Sequence, residues 1–140
     1  MATRRRWGGL SDARVLPSGV VLLFVLAGCS PAGQGKAAVG VATRFVTAVS
    51  RHDGSAACDL LSARARSSAS GATDTPCPQA VLNVKENGTQ VRGVQIWSDR
   101  AQVRIGGDVL FLERFNAGWR VNAAGCKPDP PKPYECDVEG

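Results

Sequence analysis

The sequence predicts an α+β fold, with N-terminal helices packed on one face of an antiparallel sheet. Three observations predict it. Apolar residues at Val41, Ala42, Phe45, Val46, Ala48 and Val49 recur at helical spacing. From Gln90 to Asn122, short alternating or apolar runs are separated by Ser98-Asp99-Arg100, Gly106-Gly107-Asp108 and Asn116-Ala117-Gly118, the pattern of a meander. Helices come first and strands afterwards, an order that segregates the helices onto one face of an antiparallel sheet.

The first element is an address. Arg4, Arg5, Arg6 and Arg14 precede an apolar stretch, Val15 to Leu26, in the charged-then-apolar order of a secretory signal. Counted from Val20, its uninterrupted run falls short of the ~20 residues that span a bilayer. It ends in Leu26-Ala27-Gly28-Cys29, which resembles the bacterial lipobox. In that motif the small residues let the backbone enter a narrow peptidase site, and the cysteine thiol takes a diacylglyceryl group as a thioether. The resemblance implies a signal peptide over residues 1–28, cleavage between Gly28 and Cys29, and a lipid on Cys29. It also implies processing by diacylglyceryl transferase and lipoprotein signal peptidase, and residence on the extracytoplasmic face of the cell membrane. Palmitate or a similar acyl chain would form the anchor, two chains sufficing where one is marginal. The residues after the arginines, Trp7-Gly8-Gly9, favour general secretion over twin-arginine export.

Removing that segment changes the charge. The full chain of 140 residues carries 17 Lys and Arg against 12 Asp and Glu, a net +5. Four arginines and Asp12 leave with the signal, so 13 basic and 11 acidic residues remain, interspersed and without a basic run. A nucleic-acid partner is therefore not expected. Ser30 to Lys36, rich in Gly and polar residues, reads as a flexible tether, so residues 29–36 link lipid to domain and 37–140 form a single domain.

Within that domain, Ala37 to Arg51 is the first helix, broken at His52-Asp53-Gly54, where Gly54 suits a left-handed turn. Ser55 to Ser62 is a second helix with Ser55 as its N-cap. Residues 67–78, mostly Ser, Ala, Thr, Gly and Pro, read as a loop holding Cys77, and Gln79 to Lys85 fits either a short helix or an extended segment. Strands are expected over Gln90–Trp97, Ala101–Ile105 and Val109–Phe115, the last almost wholly apolar and hence central, with a return strand from Trp119.

Beyond Cys29, four cysteines remain: 58, 77, 126 and 136. An even number in an exported domain reads as a disulfide framework with three possible pairings. Cys58–Cys77 and Cys126–Cys136 are favoured, the first pinning the second helix to the Ser-rich loop and the second closing Lys127 to Pro133, a segment too rich in proline for regular structure. No two of these cysteines have zinc-ligand spacing and the chain has a single histidine, so neither metal nor other cofactor is expected apart from the lipid.

The Arg51-His52-Asp53-Gly54 turn, the following Ala56-Ala57-Cys58-Asp59-Leu60-Leu61 and the closing Gly118-Trp119-Arg120-Val121 resemble the nuclear-transport-factor-two-like, or ketosteroid-isomerase-like, conical fold. The ending Trp119 to Cys126 with Pro133-Tyr134-Glu135-Cys136 is similar to that of small, largely uncharacterised actinobacterial lipoproteins. The resemblance implies a curved sheet and a pocket between helix and sheet. Enzymes of that fold place an acid in the pocket, sometimes with Tyr or His. No complete set stands out here. His52, Asp53 and Asp59 fit turn and helix-start roles, and Tyr134 fits packing within the tail. Glu113, which interrupts an apolar strand, is the one candidate acid. Trp97, Phe111 and Trp119 are candidate pocket residues. The expectation is a non-enzymatic, membrane-tethered module of the cell envelope that binds a small ligand or a partner. The alternative is an isomerase- or hydrolase-like enzyme using Glu113.

Overall fold

The computed structural model describes residues 31–140, so the expected signal, its cleavage site at Gly28 and the lipid site at Cys29 lie outside the described residues. The chain forms α1 (Pro31–Ser50), α2 (Gly54–Leu60), α3 (Ala63–Thr73) and α4 (Cys77–Ala80), the last continued by a 3-10 turn over Val81–Asn83. Then come β1 (Val91–Trp97), β2 (Arg100–Ile105), β3 (Asp108–Phe115), β4 (Gly118–Asp129), β5 (Lys132–Glu135) and β6 (Val138–Glu139). The strands lie in the order β1-β2-β3-β4-β5, every neighbour antiparallel, with β6 also paired to β4. The architecture is α+β, four helices packed against a six-stranded antiparallel sheet that does not close.

The alternation read in the sequence decides which face meets the helices. Ala101, Val103 and Ile105 of β2, Leu110 and Leu112 of β3, and Trp119 and Val121 of β4 are buried in one cluster with Ala38, Val41, Ala42, Phe45 and Val46 of α1. Their strand neighbours Arg100, Gln102, Phe111 and Glu113 stand on the opposite face, aligned across β2 and β3 by the pairs Arg100↔Glu113 and Gln102↔Phe111. β3 is central, as its apolar run predicts.

The structure departs from the sequence reading at four places, each for a local reason. α1 starts at Pro31, so Pro31 to Lys36 is helical and not a tether. Proline suits a first helical position, Gly35 is buried, and Gln34 is held to the sheet through Trp119. Tertiary packing thus offsets the poor helix propensity of the glycines. At α2 the N-cap is Asp53, which accepts from the Ala56 amide at 3.0 Å, in place of Ser55. His52, not Gly54, takes the left-handed backbone, at φ 58°.

The expected loop at 67–78 is largely α3. Ser62 caps it by accepting from the Ala65 amide at 3.1 Å. Ala65 and Ala69, one turn apart, are buried. The hydroxyls of Ser67 and Ser70 donate to the carbonyls of Ala63 and Arg66 one turn back, so neither competes for a backbone amide, and the buried alanines with the Ser62 cap hold the segment helical. Lastly, the proline-rich tail is regular at both ends: Lys127 to Asp129 extends β4, and Lys132 to Glu135 pairs back on it as β5. The prolines at 130 and 131 fall in the turn between these strands, where no ladder donor is required.

Two disulfides tie these parts together, in the favoured pairing. Cys58–Cys77 joins α2 to α4, and Cys126–Cys136 joins β4 to the residue after β5.

Candidate functional site

The central strands are packed against α1 on the helix-facing side, where a groove between α1 and β1 remains, so the pocket that the conical resemblance implies is not where the chain has its larger sheet cavity. Trp119 in particular is a core residue. It is 4% exposed and its Nε1–H donates to Gln34 Oε1. The cavity of about 480 Å³ lies on the other side, between the outer face of the sheet and the disulfide-held tail. Trp97, Arg100, Phe111, Glu113, Tyr134 and Cys136 are among its walls. That volume is within the ~300–1,000 Å³ range of small-molecule sites.

Cross-strand register builds one wall. Trp97 pairs with Arg100, and Arg100 pairs with Glu113. Phe111 is two residues before Glu113 and therefore shares its face. Arg100 Nη2 and Glu113 Oε1 are 3.8 Å apart, with the Glu113 side chain 24% exposed. The odd charge in an apolar strand thus has a cation opposite it in the sheet.

The tail builds the other wall. The Tyr134 ring meets Phe111 edge-on, with centroids 5.0 Å apart and planes at 74°, a favourable arrangement for aromatic quadrupoles. Gln102 Nε2 donates to Tyr134 Oη at 3.0 Å. Beneath them Val109, Ala123 and Cys126 form a second small apolar cluster, against which Phe111, Tyr134 and Cys136 pack. The disulfide and the ring pair hold β5 over the sheet, and the space left beside them is the cavity.

A second concavity of about 500 Å³ runs between α1 and α2, with Arg44, Arg51, Asp53 and Asp59 among its walls. It contains no aromatic side chain, Asp53 is occupied in capping α2, and Asp59 faces Arg66 at 3.9 Å. The sheet-face cavity combines apolar rings with a convergent charged pair, the composition expected of a small-ligand site. Of the residues singled out in the sequence, the structure brings Trp97, Phe111 and Glu113 together there. It adds Arg100, Tyr134 and Cys136, and it leaves Trp119, His52, Asp53 and Asp59 outside.

One acid was not legible in the sequence. Both carboxylate oxygens of Glu86 are buried without a hydrogen-bond partner. Its pKa is pushed up to about 8, first by burial, then by Asp108 and Asp137. Those two carboxylates are themselves engaged: Asp108 Oδ2 accepts from the Asn87 amide at 2.8 Å, and Asp137 Oδ2 from the Lys85 amide at 2.9 Å. Glu86 is not a wall of the sheet-face cavity.

Among the described residues, no group of His, Cys, Asp and Glu could hold a metal ion, and no helix is long and apolar enough to cross a membrane. No family model, curated protein or solved structure matches the chain.

Proposed function

We propose that this chain is an extracytoplasmic lipoprotein of the cell envelope, carried on the membrane by a diacylglyceryl group on Cys29, whose domain binds a small ligand without transforming it. The lipobox-like Leu26-Ala27-Gly28-Cys29 supports the anchor, and the two disulfides are consistent with an oxidising location. On this reading residues 1–28 are a signal peptide, and the domain is a variant of the ketosteroid-isomerase-like fold that has moved its pocket to the outer face of the sheet.

The observation that carries the binding role is the sheet-face cavity, where Trp97, Phe111 and Tyr134 converge with the Arg100–Glu113 pair. Rings of this kind offer apolar area and flat faces, and the charged pair offers a polar end, so the site suits a planar ligand with one polar group. Glu113 is engaged by Arg100 and stands opposite Arg120 in the sheet register, a paired setting that favours binding over acid–base chemistry, although Glu139 and Tyr134 also line the cavity.

Two measurements test the reading. Mass analysis of membrane-extracted protein, before and after reduction, should give the lipid on Cys29 and a gain of four hydrogens at the four remaining cysteines. Indole, a neutral planar probe, should produce saturable chemical-shift changes centred on Trp97, Phe111 and Glu113 of the isotope-labelled protein. Trp97→Ala should weaken that binding several-fold. Indole shifts confined to the groove between α1 and α2 would count against the assigned site.

A further inference from the structure

The first helical residue, Pro31, comes two positions after Cys29. Whatever its conformation, so short a link reaches at most about 7 Å. A lipid on Cys29 therefore cannot leave the domain free on a long leash: the end of the domain carrying the start of α1 must lie against the bilayer.

The topology identifies that end. β1 and β2 turn at Ser98-Asp99, and β3 and β4 turn at Asn116-Ala117, on the same end of the sheet. The start of α1 lies over this half, since Gln34 meets Trp119 of β4, and Ala32 and Gly35 form a groove with Val94 and Ile96 of β1. The same end carries the two most exposed large apolar side chains among the described residues, Trp97 at 54% and Phe115 at 45%. Lys36, Arg100, Arg114 and Arg120 lie here against Asp99 and Glu113, a surplus of positive charge. At the opposite end, Asp108, Asp137 and Glu86 gather around residues 85–87 beside the cations Lys85, Arg92 and Arg104, without an exposed aromatic ring among the described residues to accompany them.

We propose that this end docks on an anionic phospholipid surface, with Trp97 and Phe115 in the interfacial layer and Lys36, Arg100, Arg114 and Arg120 among the headgroups. The proposal rests on the reading of Cys29 as the lipid site. Amphipathic rings suit the boundary between headgroups and acyl chains, and cations next to them are drawn to anionic lipid. Neither the ring pair nor the modest charge surplus would hold a free protein to a membrane. On a domain whose first helix starts two residues after an inserted lipid, they act at high local concentration and set its orientation. With Trp97 at the bilayer, the mouth of the sheet-face cavity lies next to the headgroups.

The test uses the full chain expressed in a bacterial host, extracted as the lipidated form and reconstituted into vesicles of phosphatidylglycerol and phosphatidylcholine. A fraction of the lipid carries a nitroxide near the headgroup. In the processed chain Trp119 is buried and Trp7 has been removed, so Trp97 reports on the surface. Its emission should fall at least two-fold with nitroxide lipid, and this loss should be absent in Trp97→Phe. Arg114→Glu, a change at an exposed side chain, should reduce the quenching, as should raising the salt concentration. Three results would overturn the proposal in distinguishable ways. Lipid on Cys29 with Trp97 emission indifferent to the nitroxide leaves the anchor standing and removes the docking. Lipidated protein whose Trp97 is shielded in a dimer identifies a second copy as the occupant of this face. No lipid on Cys29 removes both the anchor and the docking.

Discussion

Trp119 donates its indole Nε1–H to Oε1 of Gln34, 3.2 Å away, and so fastens the first turns of α1 to the start of β4. The two residues are 85 positions apart. Because Trp119 is 4% exposed, its donor depends on that one amide. Gln34→Ala should cost about 1–3 kcal/mol, since a buried N–H is left without a partner. Trp119→Phe, which removes the donor together with the need for it, should cost less on that account, though it also loses ring volume. Urea denaturation of both variants and of the double variant tests the coupling. A double variant no worse than Trp119→Phe alone is the expected result.

Gly54 fills a place that no other residue fits. A Cβ there would overlap the carbonyl oxygen of Pro78, where α2 and α4 cross beside the Cys58–Cys77 disulfide. The steric conflict is with backbone, which cannot swing aside as a side-chain tip can. Gly54→Ala should therefore lower stability by about 1–3 kcal/mol, despite the better helix propensity of alanine. The same substitution at Gly40, which has open space around it, should be neutral or stabilising by up to about 1 kcal/mol. Thermal melts of the two variants side by side separate packing from propensity.

These two sites also mark what the sequence discloses. The apolar stripe from Val41 to Val49 and the alternation in β2 and β3 are local periodic patterns, and they predicted α1 and the central sheet correctly. The start of α1 and all of α3 lack such a stripe. They are helical because Gln34, Gly35, Ala65 and Ala69 find partners far away in sequence, and because Ser62 supplies a cap. The capping pattern at Ser62 was the available signal for α3, hidden by its small polar composition.

The site divides in the same way. Trp97, Phe111 and Glu113 were conspicuous as an aromatic or a charge out of place in a strand. Arg100 and Tyr134 become wall residues only through register and through the folding back of the tail. Trp119 looked equivalent to Trp97, but it stands on the helix-facing side of the sheet. Glu86 had no sequence signal at all: Asp108 and Asp137 approach it through turns 22 and 51 residues further on.

The tail disulfide should matter more to the cavity than to the helices. Cys126–Cys136 closes a loop of sequence separation 10, for which chain entropy gives about 3 kcal/mol. Replacing both cysteines by alanine should lower stability by about that amount. The helix-facing core does not include either residue, so the far-UV spectrum should keep its helical signal. Indole binding should weaken more than the loss of global stability explains, because β5 then holds its place through Tyr134, the exposed Lys132–Asp129 ion pair and its short pairing with β4. Unchanged indole affinity in the double variant would separate the cavity from the tail.

Glu86 should give the domain a pH dependence of definite sign. In the folded chain its pKa is pushed up to about 8 from 4.5, by burial and by Asp108 and Asp137. The folded state thus keeps a proton that the unfolded state releases near 4.5. Stability falls wherever the folded state binds more protons than the unfolded one. The contribution of Glu86 is therefore most favourable below about pH 4.5, declines as the pH rises, and reaches its least favourable value above about pH 8. Glu86→Gln, which fixes the neutral form, should match the wild type near pH 4.5 and exceed it increasingly up to pH 8, by on the order of a few kcal/mol. The variant and the wild type melted at pH 5, 7 and 9 should show a gap in Tm that widens with pH. A gap that is constant, or that narrows towards pH 9, would mean that the Glu86 carboxylate is solvated or paired in solution.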